Sequence, residues 1–194
     1  MLVDLWQIAT TVLAACAAGT FLHLFISLFR RVQLHPGGSG FEKAVHFKEP
    51  SRERLQQHYD RFMGTLVFWK SKAALFERLH VYSVTWSVSA SILVAALVQE
   101  YDPANLWAKA FMTILTLTSG LLLGISKAFR AEENYRAYRT AESEFFDLRR
   151  RIMDRPEAFG PDEVTQLSKY FEEAERIRKT SRLAELNNPP NTPI

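Results

Sequence analysis

Residues 81–126 read VYSVTWSVSASILVAALVQEYDPANLWAKAFMTILTLTSGLLLGIS, and this stretch decides the fold. Val81 to Val98 holds no formal charge, nor does Ala110 to Ser126, and Leu106-Trp107-Ala108 extends the second run beyond Lys109. As a helix with a turn of flanking residues, each run can cross about 30 Å of hydrocarbon. Between them lie Gln99 to Asn105. Asp102 is a good N-cap and Pro103 a good first helical residue, so the spacing predicts that the second helix starts there. The stretch therefore reads as a membrane hairpin, with transmembrane helices near 81–98 and 106–126.

Charge is distributed around this hairpin asymmetrically. Of the 24 Lys and Arg residues, only Lys109 lies near the turn, which also holds Glu100 and Asp102. The remaining cations follow the first apolar block or flank the outer ends of the hairpin, the positive-inside pattern that puts the turn outside and the polar segments in the cytoplasm. The net charge of +3 is explained by this asymmetry, and no nucleic acid is expected as a partner. A single cysteine, Cys16, allows neither a disulfide framework nor a thiolate metal cluster.

A third uncharged run spans Leu5 to Phe29 and ends at Arg30-Arg31. Leu13-Ala14-Ala15-Cys16 matches a lipoprotein cleavage box as a string, but Asp4 precedes the run and the basic pair follows it, the reverse of a secretory signal. Residues 1–31 thus read as an N-terminal transmembrane anchor, N-terminus outside. Three crossings then leave the C-terminus in the cytoplasm. Residues 32–50, with His35-Pro36-Gly37-Gly38-Ser39-Gly40, read as a flexible linker. Gly37, Gly38 and Gly40 near Lys43 lack the spacing of a phosphate-binding loop.

Beyond Pro50 a long helix is expected from Ser51. Leu55, Tyr59, Phe62, Leu66, Trp69, Ala73 and Phe76 alternate by four and three, a coiled-coil-like seam that continues through His80, Ser83, Ser87 and Ala90. On the return side Ala131, Asn134, Tyr138, Ala141, Phe145, Leu148 and Ile152 alternate in the same way, in a helix expected to run on from the membrane. The candidate oligomer seam comprises Leu55, Tyr59, Phe62, Leu66, Trp69, Tyr138, Phe145, Leu148 and Ile152, although the pattern fits a partner within the chain equally well. Asp154-Arg155-Pro156 interrupts the helix, and Gly160-Pro161-Asp162-Glu163 starts another with Val164, Leu167, Phe171, Ala174 and Ile177 on one face. This C-terminal cytoplasmic helix occupies 156–186, and 187–194 reads as a disordered tail. No stretch alternates as a strand. The fold class is an all-α membrane protein.

Chemistry is sparse. His23, His35, His46, His58 and His80 form no metal-ligand pair, so neither catalytic residues nor a cofactor or metal site is expected. His23 lies near the inner end of its crossing and is expected to reach headgroups. Arg149-Arg150-Arg151 could bind an anion but reads more simply as a solvated face. Ser83, Ser87, Ser91 and Ala95 recur every fourth residue, and Thr113, Thr116, Gly120 and Gly124 make a small-residue stripe on the return helix. Such stripes let helices pack closely or, when hydroxyl-lined, border water; both readings stay open, for Ser83, Ser87, Ser91, Thr113, Thr116, Gly120 and Gly124 alike.

The order Trp69-Lys70-Ser71-Lys72-Ala73, hairpin, Lys127-Ala128-Phe129-Arg130-Ala131-Glu132-Glu133-Asn134-Tyr135-Arg136, then Glu142 to Ile152, resembles the SLATT family of two-membrane-helix proteins across about residues 70–159. The SLATT-like hairpin region is taken as 51–155. The resemblance implies a non-enzymatic, oligomeric effector of bacterial conflict systems in the inner (plasma) membrane. Such an effector would form pores when a nucleotide second messenger or a sensor protein signals infection. The extra N-terminal crossing departs from that architecture, and no nucleotide-sensing domain is visible. The expectation is a pore-forming or membrane-perturbing homo-oligomer in antiphage defence; the alternative is a non-conducting scaffold whose cytoplasmic helices recruit a soluble partner.

Overall fold

The computed structural model describes residues 5–30, 32, 34 and 40–186, with side chains described through Arg182. The expectations placed on residues 35–39 and on the tail 187–194 fall outside these. Among the described residues every regular element is helical: α1 (Leu5–Phe29), α2 (Glu49–Leu97), α3 (Leu106–Ala128), α4 (Ala131–Asp154), a 3₁₀ turn (Pro156–Phe159) and α5 (Glu163–Leu186). α1, α2 and α3 are each long and apolar enough to cross a membrane. The chain divides into two compact units, one of Met1–Arg30 with Leu75–Glu132, the other of Arg31–Ala74 with Glu133–Ile194.

The first unit holds α1, the latter part of α2, and α3. Its interior is thin. Leu79, Leu122 and Ala131 form one cluster with Phe21 and Leu24 packed on it; Ala90, Phe111 and Leu115 form a second, against Trp6 and Leu13. The Trp6 and Phe111 rings meet edge to face at 5.7 Å. Most of the apolar surface points outward instead. Among the large hydrophobic side chains left exposed, all but Val45, Phe68 and Val164 belong to this unit. Apolar surface of that extent on three helices of membrane-spanning length is compatible with insertion into a lipid bilayer.

Helix boundaries follow capping chemistry. α3 begins later than Asp102-Pro103 suggested, because Asn105 is the N-cap: its Oδ1 accepts from the backbone N–H groups of Trp107 (2.9 Å) and Ala108 (3.2 Å). Asp102 instead closes the preceding turn, accepting from the Ala104 N–H at 2.8 Å. The return helix is also not continuous with α3. Arg130 takes a left-handed conformation (φ 43°) between α3 and α4, although neither Gly nor Pro marks the position.

The second unit is a conventional core, and it resolves the seam. The nine candidate oligomer-seam positions are all buried inside a single chain, none more than 7% exposed, so they form this unit's own interior. The α2 stripe finds its complement on α4 of the same molecule, a tethered partner that is favoured over a second subunit by effective concentration. Phe62 and Phe145 stack with centroids 4.1 Å apart and planes 4° from parallel. Trp69 meets Phe62 edge to face at 5.5 Å.

The stretch read as a linker contributes to this core from Gly40 onward. Phe41 (0% exposed), Ala44 and Phe47 are buried, and Phe41 packs on Tyr59 and Tyr170. Glu49 and Pro50 already belong to α2. Arg149, expected on a solvated face, is buried here; its Nη2 donates to the Gly40 carbonyl at 3.0 Å and its guanidinium lies 5.0 Å from the Tyr59 ring centre. Arg150 pairs with Asp147.

α5 buries Leu167, Tyr170, Ala174, Ile177 and Ser181, a three-four alternation, while Val164 is 81% exposed. Its start is set by Asp162, which accepts from both the N–H (3.0 Å) and the hydroxyl (2.8 Å) of Thr165. Gly160 precedes it at φ 153°, where a Cβ would lie 2.5 Å from Thr165 Cγ2; only glycine fits.

Candidate functional site

Two polar stripes on the hairpin are the candidate site, and they face different surroundings. On α2, Ser83 is 1% exposed and its Oγ donates to the His80 carbonyl at 2.8 Å. Ser87 is half-buried, with a shielded Oγ that has no hydrogen-bond partner. Ser91 is exposed and donates to the Ser87 carbonyl at 2.9 Å. This stripe turns from inside to outside along the helix.

On α3 the inward face is Ala108, Phe111, Leu115, Thr118, Leu122 and Ser126. Thr113, Thr116, Gly120 and Gly124 are exposed. A Cβ on Gly120 or Gly124 would meet nothing within 4 Å. The Thr116 hydroxyl donates back to Met112 (2.8 Å) and Thr113 (3.2 Å), so no side chain of the same molecule satisfies it. The serine and the threonine–glycine stripes are thus not packed on each other within one chain.

Sequence reasoning missed a third set, the polar residues that join α1 to the hairpin. Thr10 Oγ1 lies 3.0 Å from the Trp107 carbonyl and 2.7 Å from that of Trp6. Trp86 Nε1 donates to Thr20 Oγ1 at 3.2 Å, and Arg78 Nη1 donates to Ser27 Oγ at 2.9 Å. His23, expected to reach headgroups, instead has Nδ1 2.5 Å from the Tyr82 hydroxyl. The signal was there in Thr10, Thr20, His23 and Ser27, polar side chains spread along a largely apolar run that also holds Gln7 and Thr11. Interhelical hydrogen bonds in lipid contribute about 0.6 kcal/mol each, so their combined role is to fix where α1 docks more than to supply stability.

In the second unit, one histidine is electrostatically perturbed. Burial, and then the nearby Arg61 and Arg178 charges, hold His58 below its ordinary value of 6.5. The unfolded chain therefore binds more protons than the folded one between the depressed value and 6.5. This contribution is fully present above the unfolded value and is lost as pH falls through the folded one. Circular-dichroism melts in detergent are expected to show a midpoint that drops from pH 7 to pH 5, with a shallower drop for His58→Phe. Identical slopes in the two proteins would remove His58 as the source.

Among the described residues no group of three His, Cys, Asp or Glu side chains is placed to hold a metal ion. No family model, curated protein or solved structure matches this chain.

Proposed function

We propose that the protein is an oligomeric effector of the bacterial inner membrane that opens a pore, or otherwise perturbs the bilayer, in antiphage defence. A nucleotide second messenger or a sensor protein would act as its trigger. The likeness of the hairpin and its flanks to the SLATT family supports the class. One observation carries the mechanism: α3 exposes Thr113, Thr116, Gly120 and Gly124 along one face, among exposed large apolar side chains such as Leu117, Leu121 and Leu123. Small residues at four-residue spacing let a second helix approach to backbone distance, and hydroxyls on the same face offer polar groups to water or to that helix. One hairpin cannot enclose an aqueous path, so copies of α3 would have to meet through this face. Positive charge flanking α1 and the hairpin supports an N-terminus outside and a C-terminus in the cytoplasm.

Dye and ion release from liposomes holding the full chain tests the reading. The parent is expected to release, with or without nucleotide, and Gly120→Leu to lower both release and oligomer content by about tenfold, as expected for the loss of a close helix contact. Release unchanged by Gly120→Leu would remove this face from the mechanism. Silence from well-assembled protein, even with nucleotides and native partner proteins added, would favour the non-conducting scaffold.

A further inference from the structure

A groove between α2 and α5 in the second unit has the features of a ligand site. It has two adjoining parts that share Arg178 and Arg182. One, of about 420 Å³, is walled by His58 and floored by Phe62 and Phe171. The other, of about 340 Å³, lies against Gly64, Thr65, Phe68 and Trp69. Both volumes are in the range that takes a small organic molecule.

Charge in the groove is one-sided. Arg178, Lys179 and Arg182 converge there with a single carboxylate, Glu175. Among the described residues none of these three cations is ion-paired, whereas Arg176 on the same helix pairs with Glu173 at 2.8 Å. Arg178 and Arg182 are one turn apart, a like-charge spacing that weakens a helix unless an anion bridges it. Two guanidinium forks so placed are the donors that suit phosphate oxygens.

Two further observations bear on the space itself. Gly64 sits in the interior of a 49-residue helix, where glycine is disfavoured, yet a Cβ there would meet nothing within 4 Å. Its missing side chain keeps the groove open. His58 Nδ1 is shielded from solvent without a hydrogen-bond partner, beside the exposed arginine heads.

We propose that this groove binds a phosphate-bearing ligand, with Arg178 and Arg182 holding the phosphate and the aromatic floor receiving the ligand's ring or apolar part. The ligand is a soluble nucleotide or a phospholipid headgroup; the shared chemistry is the phosphate. The site does not depend on the pore reading, since binding is measured without any membrane current.

Native mass spectrometry of the full chain in detergent separates the two sources, using ADP and dihexanoyl phosphatidate as probes and dihexanoylglycerol, which carries no phosphate, as the control. Binding of ADP alone assigns a soluble ligand, binding of phosphatidate alone assigns a headgroup, and binding of both assigns recognition through the phosphate. In each case R178Q/R182Q is expected to weaken binding by about tenfold or more, as is usual for charged hydrogen bonds. Gly64→Leu should block the site with the charges intact, R178K/R182K should retain part of the affinity, and R176Q should bind as the parent does. Unchanged helical circular dichroism in each variant keeps the comparison free of unfolding. No binding of either phosphate probe, or binding that survives both R178Q/R182Q and Gly64→Leu, overturns the proposal.

Discussion

Phe145→Ala is expected to destabilise the second unit by about 3–5 kcal/mol, the usual range for a buried phenylalanine truncated in a core that cannot collapse. Phe145 is fully buried, and its ring is stacked on Phe62 and lies near Tyr59, with centroids 4.1 and 6.4 Å away. Removing it leaves Phe62 without its stacking partner and opens a void between α2 and α4. For a chain of this size the midpoint of a detergent melt should fall by roughly 6–20 °C. Phe68→Ala, at a ring that is 45% exposed, should shift it far less. The comparison also tests what the seam is for. A seam reserved for other subunits would give a Phe145→Ala protein that melts like the parent and loses only its oligomers.

That seam shows how the fold was legible from sequence. Phe145 and its neighbours stood out because three-four spacing places residues on one helical face whatever that face later touches. The identity of the partner is not encoded in spacing, so the seam read equally well as an oligomer contact. α5 was misread for a related reason. Its true stripe, Leu167, Tyr170, Ala174, Ile177 and Ser181, includes two polar side chains, and a purely apolar count displaced it onto Val164 and Phe171. Phe41 was hidden by the glycines before it. A loop residue gains its burial from distant Tyr59 and Tyr170, which no local pattern reports. Among the candidate site residues, the stripes themselves were readable. Which of them faced inward was not, because α3 carries polar residues on both faces: Thr118 and Ser126 inside, Thr113 and Thr116 outside.

Val164 and Leu117 supply the sharpest contrast between the two units. Both are exposed apolar side chains on helices, 81% and 58% respectively, and a water-soluble protein would tolerate arginine at either within about 0.5 kcal/mol. Lipid changes the arithmetic for one of them. Leu117 lies near the middle of α3, away from the helix ends where a long cationic side chain can reach water, and arginine at a bilayer centre costs about 2.5–3.5 kcal/mol on insertion scales. At about 1.4 kcal/mol per tenfold, that is roughly two orders of magnitude in the insertion equilibrium of α3. Leu117→Arg should therefore shift much of the protein into an alkali-extractable or degraded fraction. Val164→Arg should remain in the membrane pellet like the parent. Leu117 shares a helix face with Thr113, Gly120 and Gly124, four, three and seven residues away, so its substitution is read beside Gly120→Leu, which alters the contact between copies without adding charge. Tolerance of arginine at Leu117 would mean that the face it shares with Thr113 and Gly124 meets water and not lipid.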